Sequence, residues 1–116
     1  MFLGERVTEG AREKALALRD TLALLSGKWN LCIIRTLSLG SLRFKDLQAA
    51  LKGITPKVLS EALQELEMNH MVTRTVNNSR PITVSYSLTD HAYETRKVIE
   101  ALVEFGTTHR KVVKGK

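Results

Sequence analysis

Lys57, Ser60 and Gln64 stand at i, i+3 and i+7, a spacing that gathers an ammonium, a hydroxyl and a carboxamide on one face of a helix. An ammonium there neutralises a phosphate or donates to guanine O6 and N7. The hydroxyl and carboxamide beside it reach base edges. Glu61 on the same segment either accepts from cytosine N4 or is a solvated surface carboxylate. Thr55, just before it, either caps the helix or donates to a phosphate at the helix N-terminus, where free backbone N–H groups favour anions. Further on, the run Asn77-Asn78-Ser79-Arg80-Pro81 is turn chemistry that presents Arg80, with Asn78 assisting. A guanidinium at such a tip suits the negative potential of a narrow minor groove. Arg74, Arg43 and Lys45 are further candidate phosphate contacts. The chemistry on offer is recognition of double-stranded DNA, with phosphate contacts for affinity and base contacts for specificity.

Other chemistries find little footing. The single cysteine, Cys32, rules out an internal disulfide framework. Its apolar surroundings predict a buried structural thiol, with a reactive sensor thiol as the alternative. His70, His91 and His109 have no metal-ligand spacing among themselves, so no metal and no cofactor is expected. Asp90 and Glu94, at i and i+4, read as solvated face residues. No nucleophile elbow, P-loop or dinucleotide fingerprint is present, and an enzyme is not expected.

The elements that must position these groups follow from periodicity. Ala15, Leu18, Leu22 and Leu25 recur at helical spacing and predict a helix from Ala11 to Leu25, ended by Ser26-Gly27 with glycine as a left-handed cap. Trp29 to Leu39 reads as a second helix, apolar on nearly every side and therefore central, closed by Gly40. Ser41–Phe44 predicts a short strand and Lys45–Leu51 a short helix, followed by a Lys52-Gly53 turn. Thr55 as N-cap, Pro56 at the first helical position and an Ile54–Leu59 staple predict a helix over residues 55–69. Its inward residues are Leu59, Ala62, Leu63 and Leu66. Met71–Val76 reads as a strand. Val84, Tyr86 and Leu88 alternate with polar residues in a second strand, the two flanking a 77–81 wing. Thr89 caps a last helix to Arg110. The apolar residues Val98, Ile99, Leu102, Val103 and Phe105 of that helix form a stripe wider than one small core needs, joined by Leu18 and Leu22 of the first. Either it closes the monomer core, or it pairs with a second copy of the chain.

The 116 residues carry a net charge of +6, a balance that favours polyanionic partners. The excess is concentrated. Residues 28–80 hold eight basic and four acidic side chains, a net +4, whereas residues 1–27 are neutral. No run approaches the roughly 18–20 apolar residues of a membrane span. Met1 to Glu13 has three acids and no apolar run, unlike a secretory signal. A cytoplasmic location without membrane association is expected.

Four motifs, in order, carry a family resemblance. Leu25-Ser26-Gly27-Lys28-Trp29 is similar to I-G-G-K-W, and Arg43-Phe44-Lys45-Asp46-Leu47 to R-F-x-[ED]-L. Gly53-Ile54-Thr55-Pro56-Lys57-Val58-Leu59 is similar to G-I-S-x-K-x-L, and Pro81 through Thr89 follows P-x-x-V-x-Y-x-L-T. Together they resemble the HxlR-type winged helix-turn-helix transcriptional regulators, a bacterial family related in fold to the MarR-type regulators. The resemblance spans about residues 16–106. It implies a homodimer whose recognition helix enters the major groove, whose wing lies on the minor groove or backbone, and whose terminal helices form the dimer. Several members sense oxidants through a cysteine near the start of the first helix, and the aligned position here is Leu16. Glu61 and Ala62 stand where members often carry Gln or Arg. His70 replaces the glycine that usually ends the recognition helix, so Asn69 is expected to take the left-handed conformation in its place.

The expected fold is mainly α with a small β-wing, an α+β winged helix-turn-helix with long dimerising terminal helices. Residues 1–10 form an N-terminal arm, 11–110 the domain and 111–116 a basic tail. The expected function is a sequence-specific transcriptional regulator binding a palindromic operator. Repression is favoured over activation because no separate polymerase-contacting domain is present. The effector is not specified by any residue. The alternatives are a winged-helix module that docks an acidic protein through the same helix and wing, and a thiol sensor acting through Cys32.

Overall fold

The apolar spacings converge on one core. Ile33, Ile34 and Leu37 meet Leu47 and Leu51, then Leu59, Leu63 and Leu66, and are closed by Met71, Val72, Tyr86, Leu88 and Ala92. Each fully buried aliphatic side chain among them contributes roughly 1.5–3 kcal/mol. The computed structural model describes residues 8–115. In chain order the elements are α1 (Glu9–Leu25), α2 (Asn30–Leu37), β1 (Leu42–Arg43), α3 (Phe44–Ala50), α4 (Pro56–Met68), β2 (Val72–Asn77), β3 (Thr83–Leu88), α5 (Asp90–Tyr93) and α6 (Arg96–Lys114). The fold is mainly helical with a small antiparallel sheet, a winged helix-turn-helix. Among the described residues no helix is long and apolar enough to cross a membrane.

The sheet has the order β1-β3-β2. Val72 pairs with Leu88 and Asn77 with Thr83 across the hairpin, and Leu42 pairs with Tyr86 on the other side of β3. Cross-strand partners share a face. Leu42, Val72, Val84, Tyr86 and Leu88 therefore lie toward the core, while Arg43, Thr73, Thr75, Asn77, Thr83, Ser85 and Ser87 make the other face entirely polar. The hairpin runs out beyond the core, so Arg74 and Val76 are exposed even though they share the face of Val72.

Several local expectations are corrected. Helix α1 starts at Glu9, capped by Thr8, whose Oγ1 accepts from the Ala11 N–H at 3.1 Å. Residues 1–7 of the expected arm lie outside the described residues. Gly27 is not a left-handed cap: among the described residues the positive-φ glycines are Gly40, Gly53 and Gly115. Helix α2 is not apolar on every side. Asn30, Ile33, Ile34 and Leu37 are buried, but Cys32 and Arg35 are exposed, so the thiol is not the buried structural group its neighbours suggest. Cys32 projects from the face opposite to Ile33 and Leu37 because only one side of this helix meets the core.

The last helix is interrupted. Thr89 Oγ1 accepts from the Ala92 N–H at 3.1 Å and starts α5, while Thr95 Oγ1 turns back to donate to the Ala92 carbonyl at 2.6 Å. Helix α6 begins afresh at Arg96 and runs on through Lys114, so residues 111–114 are helical. The wing loop spans residues 78–82, because Asn77 and Thr83 still pair.

Candidate nucleic-acid interface

Helix α4 is held by its start. Thr55 Oγ1 accepts from the Val58 N–H at 3.2 Å, and Pro56 occupies the first helical position. The cap uses one acceptor site of the hydroxyl and leaves its proton available to donate. Ile54 and Leu59, on either side of the cap, are both buried, as a hydrophobic staple requires. Gly53 reaches φ +95°, and the Gln48 Nε2 donates across the turn to the Ile54 carbonyl at 3.4 Å. These contacts fix the angle between α3 and α4.

With Leu59, Leu63 and Leu66 locked into the core, the opposite face of α4 is set by geometry. Lys57, Ser60, Glu61 and Gln64 are all exposed on it. On α3, Lys45 is exposed. Arg43 is also exposed, but its Nε donates to Asp46 Oδ2 at 3.1 Å, so any phosphate contact from it falls to its terminal nitrogens. In the wing, Asn77 Oδ1 accepts from the Ser79 N–H at 3.2 Å and shapes the loop. Asn78 and Arg80 are exposed in that loop, and Arg74 is exposed on β2. Lys28 lies over the Trp29 ring, 5.5 Å from its centroid. Among the described residues no group of His, Cys, Asp or Glu could hold a metal ion.

Two exposed apolar residues join these surfaces without having been singled out by sequence. Met68 continues the outward row of α4, and Ile82 stands in the wing loop. Helical spacing from Lys57 contains the signal for Met68, whereas Ile82 continues the apolar alternation of Val84, Tyr86 and Leu88, a pattern that points inward although the residue is exposed beyond the strand end. Lys52, in the turn between α3 and α4, is likewise exposed.

The residues selected as a dimer face lie elsewhere. Leu18 is 47% exposed, Leu22 58%, Leu102 48%, Val103 54% and Phe105 68%, too much for core residues. Ile99 differs, being half-buried against the monomer core. A cleft of about 330 Å³ between α2, α5 and α6 has Ile34, Leu88, Ala92 and Ile99 in its lining, with Arg35 and Arg96 among its polar groups.

Comparison with known proteins agrees with this geometry. Residues 24–114 match the HxlR-like helix-turn-helix family. An uncharacterized HTH-type transcriptional regulator of Halalkalibacterium halodurans is 40% identical over 91 residues, covering 78% of this chain and 80% of that protein. A crystal structure of a regulator described as of the MarR family, from Enterococcus faecalis V583, superposes with a TM-score of 0.79 at 29% identity, over 97% of this chain and 99% of that one. The reduced form of the transcriptional regulator YodB from B. subtilis gives a TM-score of 0.72 at 32% identity, over 77% and 87% of the two chains.

Proposed function

Because the chain belongs to the HxlR-like helix-turn-helix family of transcriptional regulators, we propose that it is a homodimeric, sequence-specific repressor bound to a palindromic operator. The family is one of regulators and not of enzymes. The observation that carries the proposal is the exposed row Lys57, Ser60 and Gln64 on a helix whose other face is locked into the core. Lys57 supplies the charge at the positive end of the α4 dipole, Ser60 and Gln64 the base contacts, and Thr55 a phosphate contact. Arg80 and Asn78 in the wing, with Arg74, Arg43 and Lys45, add backbone contacts. Two-fold symmetry sets half-sites about one helical turn apart. Repression follows where the occupied operator overlaps the site at which polymerase binds.

The test is fluorescence anisotropy of the purified protein on the duplex upstream of its own coding sequence and on a scrambled duplex, across salt. Preferential binding with a steep salt slope is expected. Lys57→Ala and Arg80→Ala should each weaken it about ten-fold, and Arg80→Ala should lower the salt slope by about one. Equal, weak binding to both duplexes would remove this duplex as the operator and shift weight to a protein partner.

A second reading, in which α4 docks on a protein, is favoured by one observation: Glu61, Glu65 and Glu67 outnumber Lys57 on that helix, which suits a basic partner and not the acidic one expected from sequence. Competition by DNA separates the two, since a shared surface cannot hold both partners.

A further inference from the structure

We propose that Glu61 reads a base: its carboxylate accepts a hydrogen bond from the N4 amino group of a cytosine, so that each half-site carries an obligatory C·G pair opposite α4. The inference rests on the DNA-binding reading above and names the specificity of that same surface.

The starting point is a mismatch of charge. The chain carries +6, yet α4 holds one lysine and three glutamates, a net of −2. A helix of this charge gains nothing from phosphates as a whole, so its affinity for a polyanion must come from neighbouring elements and its own contribution must be selective. The three carboxylates are not equivalent. At about 100° per residue, Glu61 lies roughly 40° from Lys57 around the helix and Gln64 roughly 20° to the other side. Along the helix axis Glu61 stands between Lys57 and Gln64, and it stays on the same outward face. Glu65 and Glu67 fall roughly 80° to either side and further along the helix. Of the three carboxylates only Glu61 falls within the arc of the outward row.

Nor is Glu61 neutralised within the chain. Among the described residues the side-chain ion pairs are Arg43–Asp46 and Arg96–Glu100. Lys57, one turn before Glu61, is exposed and not bonded to it. An uncompensated carboxylate carried into the groove opposes binding to every sequence unless a base edge satisfies it. In the major groove guanine and thymine present acceptors, and the adenine N6 donor sits beside the N7 acceptor, which repels a carboxylate. Cytosine N4 is the donor without such a neighbour on its own base. The same charge that accepts from cytosine therefore penalises the other three bases.

The experiment is selection from a library of duplexes with a randomised 20-base-pair centre, using the full chain and its Glu61→Ala and Glu61→Gln variants. Glu61 is exposed and makes no hydrogen bond within the described residues, and helical circular dichroism confirms that each variant is folded. The wild type should enrich sites with a symmetric pair of C·G positions. In Glu61→Ala the preference at that position alone should fall, on the order of ten- to a hundred-fold, and Glu61→Gln should move it toward A·T. A consensus that survives Glu61→Ala unchanged, whether or not all duplexes bind more tightly, would overturn the inference and leave the regulator intact. A consensus that collapses at every position would also overturn it. If the wild type enriches no sequence at all, the DNA-reading function falls and this inference with it.

Discussion

An ideal Cβ placed on Gly27 would lie 2.8 Å from Nδ2 and 2.9 Å from Cγ of Asn30, closer than real Cβ atoms come. Asn30 is only 4% exposed, and its Nδ2 donates to the Leu24 carbonyl at 2.7 Å. That carbonyl belongs to the last turn of α1, where no backbone N–H remains to satisfy it. Asn30 thus ties the end of α1 to the start of α2, and Gly27 is the space its side chain needs. Gly27→Ala should displace the amide and lower stability by about 1–3 kcal/mol in urea unfolding. A cost near zero would show that the corner yields instead. Paired with Asn30→Ala, the two losses should be less than additive, because both remove the same hydrogen bond. The sequence shows a glycine at a helix end and suggests a left-handed cap. The true requirement is a side chain three residues away, which local pattern does not contain.

At the scale of the element, α4 is defined by two ends of unequal legibility. Its start was readable because Thr55, Pro56, Ile54 and Leu59 each favour the same boundary. Its stop was not: the expectation that Asn69 takes the left-handed turn is corrected, because local preference for Asn does not include where the core needs the next residue. His70 takes it, with φ +61°, while Asn69 stays at φ −91° and its Nδ2 donates to the Glu65 carbonyl at 2.9 Å. The Met71 N–H bonds to the Leu66 carbonyl at 2.9 Å and the His70 N–H to the Glu67 carbonyl at 3.1 Å, the pair of bonds that makes a Schellman stop. Leu66 and Met71, the residues joined by the first bond, are both fully buried. The core therefore chooses the register of the stop: a left-handed Asn69 would bring His70 to the position where Met71 closes the core. A side chain at φ +61° costs roughly 1–2 kcal/mol, offset in part by the freedom glycine adds to the unfolded chain. His70→Gly should accordingly stabilise the protein by about 0.5–1 kcal/mol, seen as a higher urea midpoint at unchanged m-value. A lower midpoint would mean that the His70 side chain contributes more than its backbone costs.

The whole molecule is too extended for one copy of it. Its radius of gyration is 17.4 Å, against about 13 Å for a compact chain of this length, and its longest dimension is 61 Å. The excess comes from the termini. Helix α6 buries none of its 19 residues and α1 only Leu25. Yet Val98, Leu102, Phe105 and Val112 of α6 recur at alternating steps of four, three and seven, an apolar seam down one face, with Phe105 stacked on His109 at 5.7 Å. Periodicity alone revealed the seam as far as Phe105 and missed Val112, because it predicts that the helix ends at Arg110. Nor did it reveal the cover, because a stripe of this width is equally what a monomer core would use. The distinction appears only once Ile99 is seen against the core and its neighbours are seen outside it. A second copy, presenting the same two helices, is the cover these observations favour. Light scattering should then give twice the 13.0 kDa chain mass. Leu102→Glu, which buries a charge only if the seam is paired, should shift the population toward the monomer. In the same variant, affinity for a palindromic duplex should fall by roughly a hundred-fold or more, since the two half-sites then bind independently. A wild-type mass of 13.0 kDa, unchanged by Leu102→Glu, would leave both terminal helices bare and would take the palindrome out of the proposed mechanism.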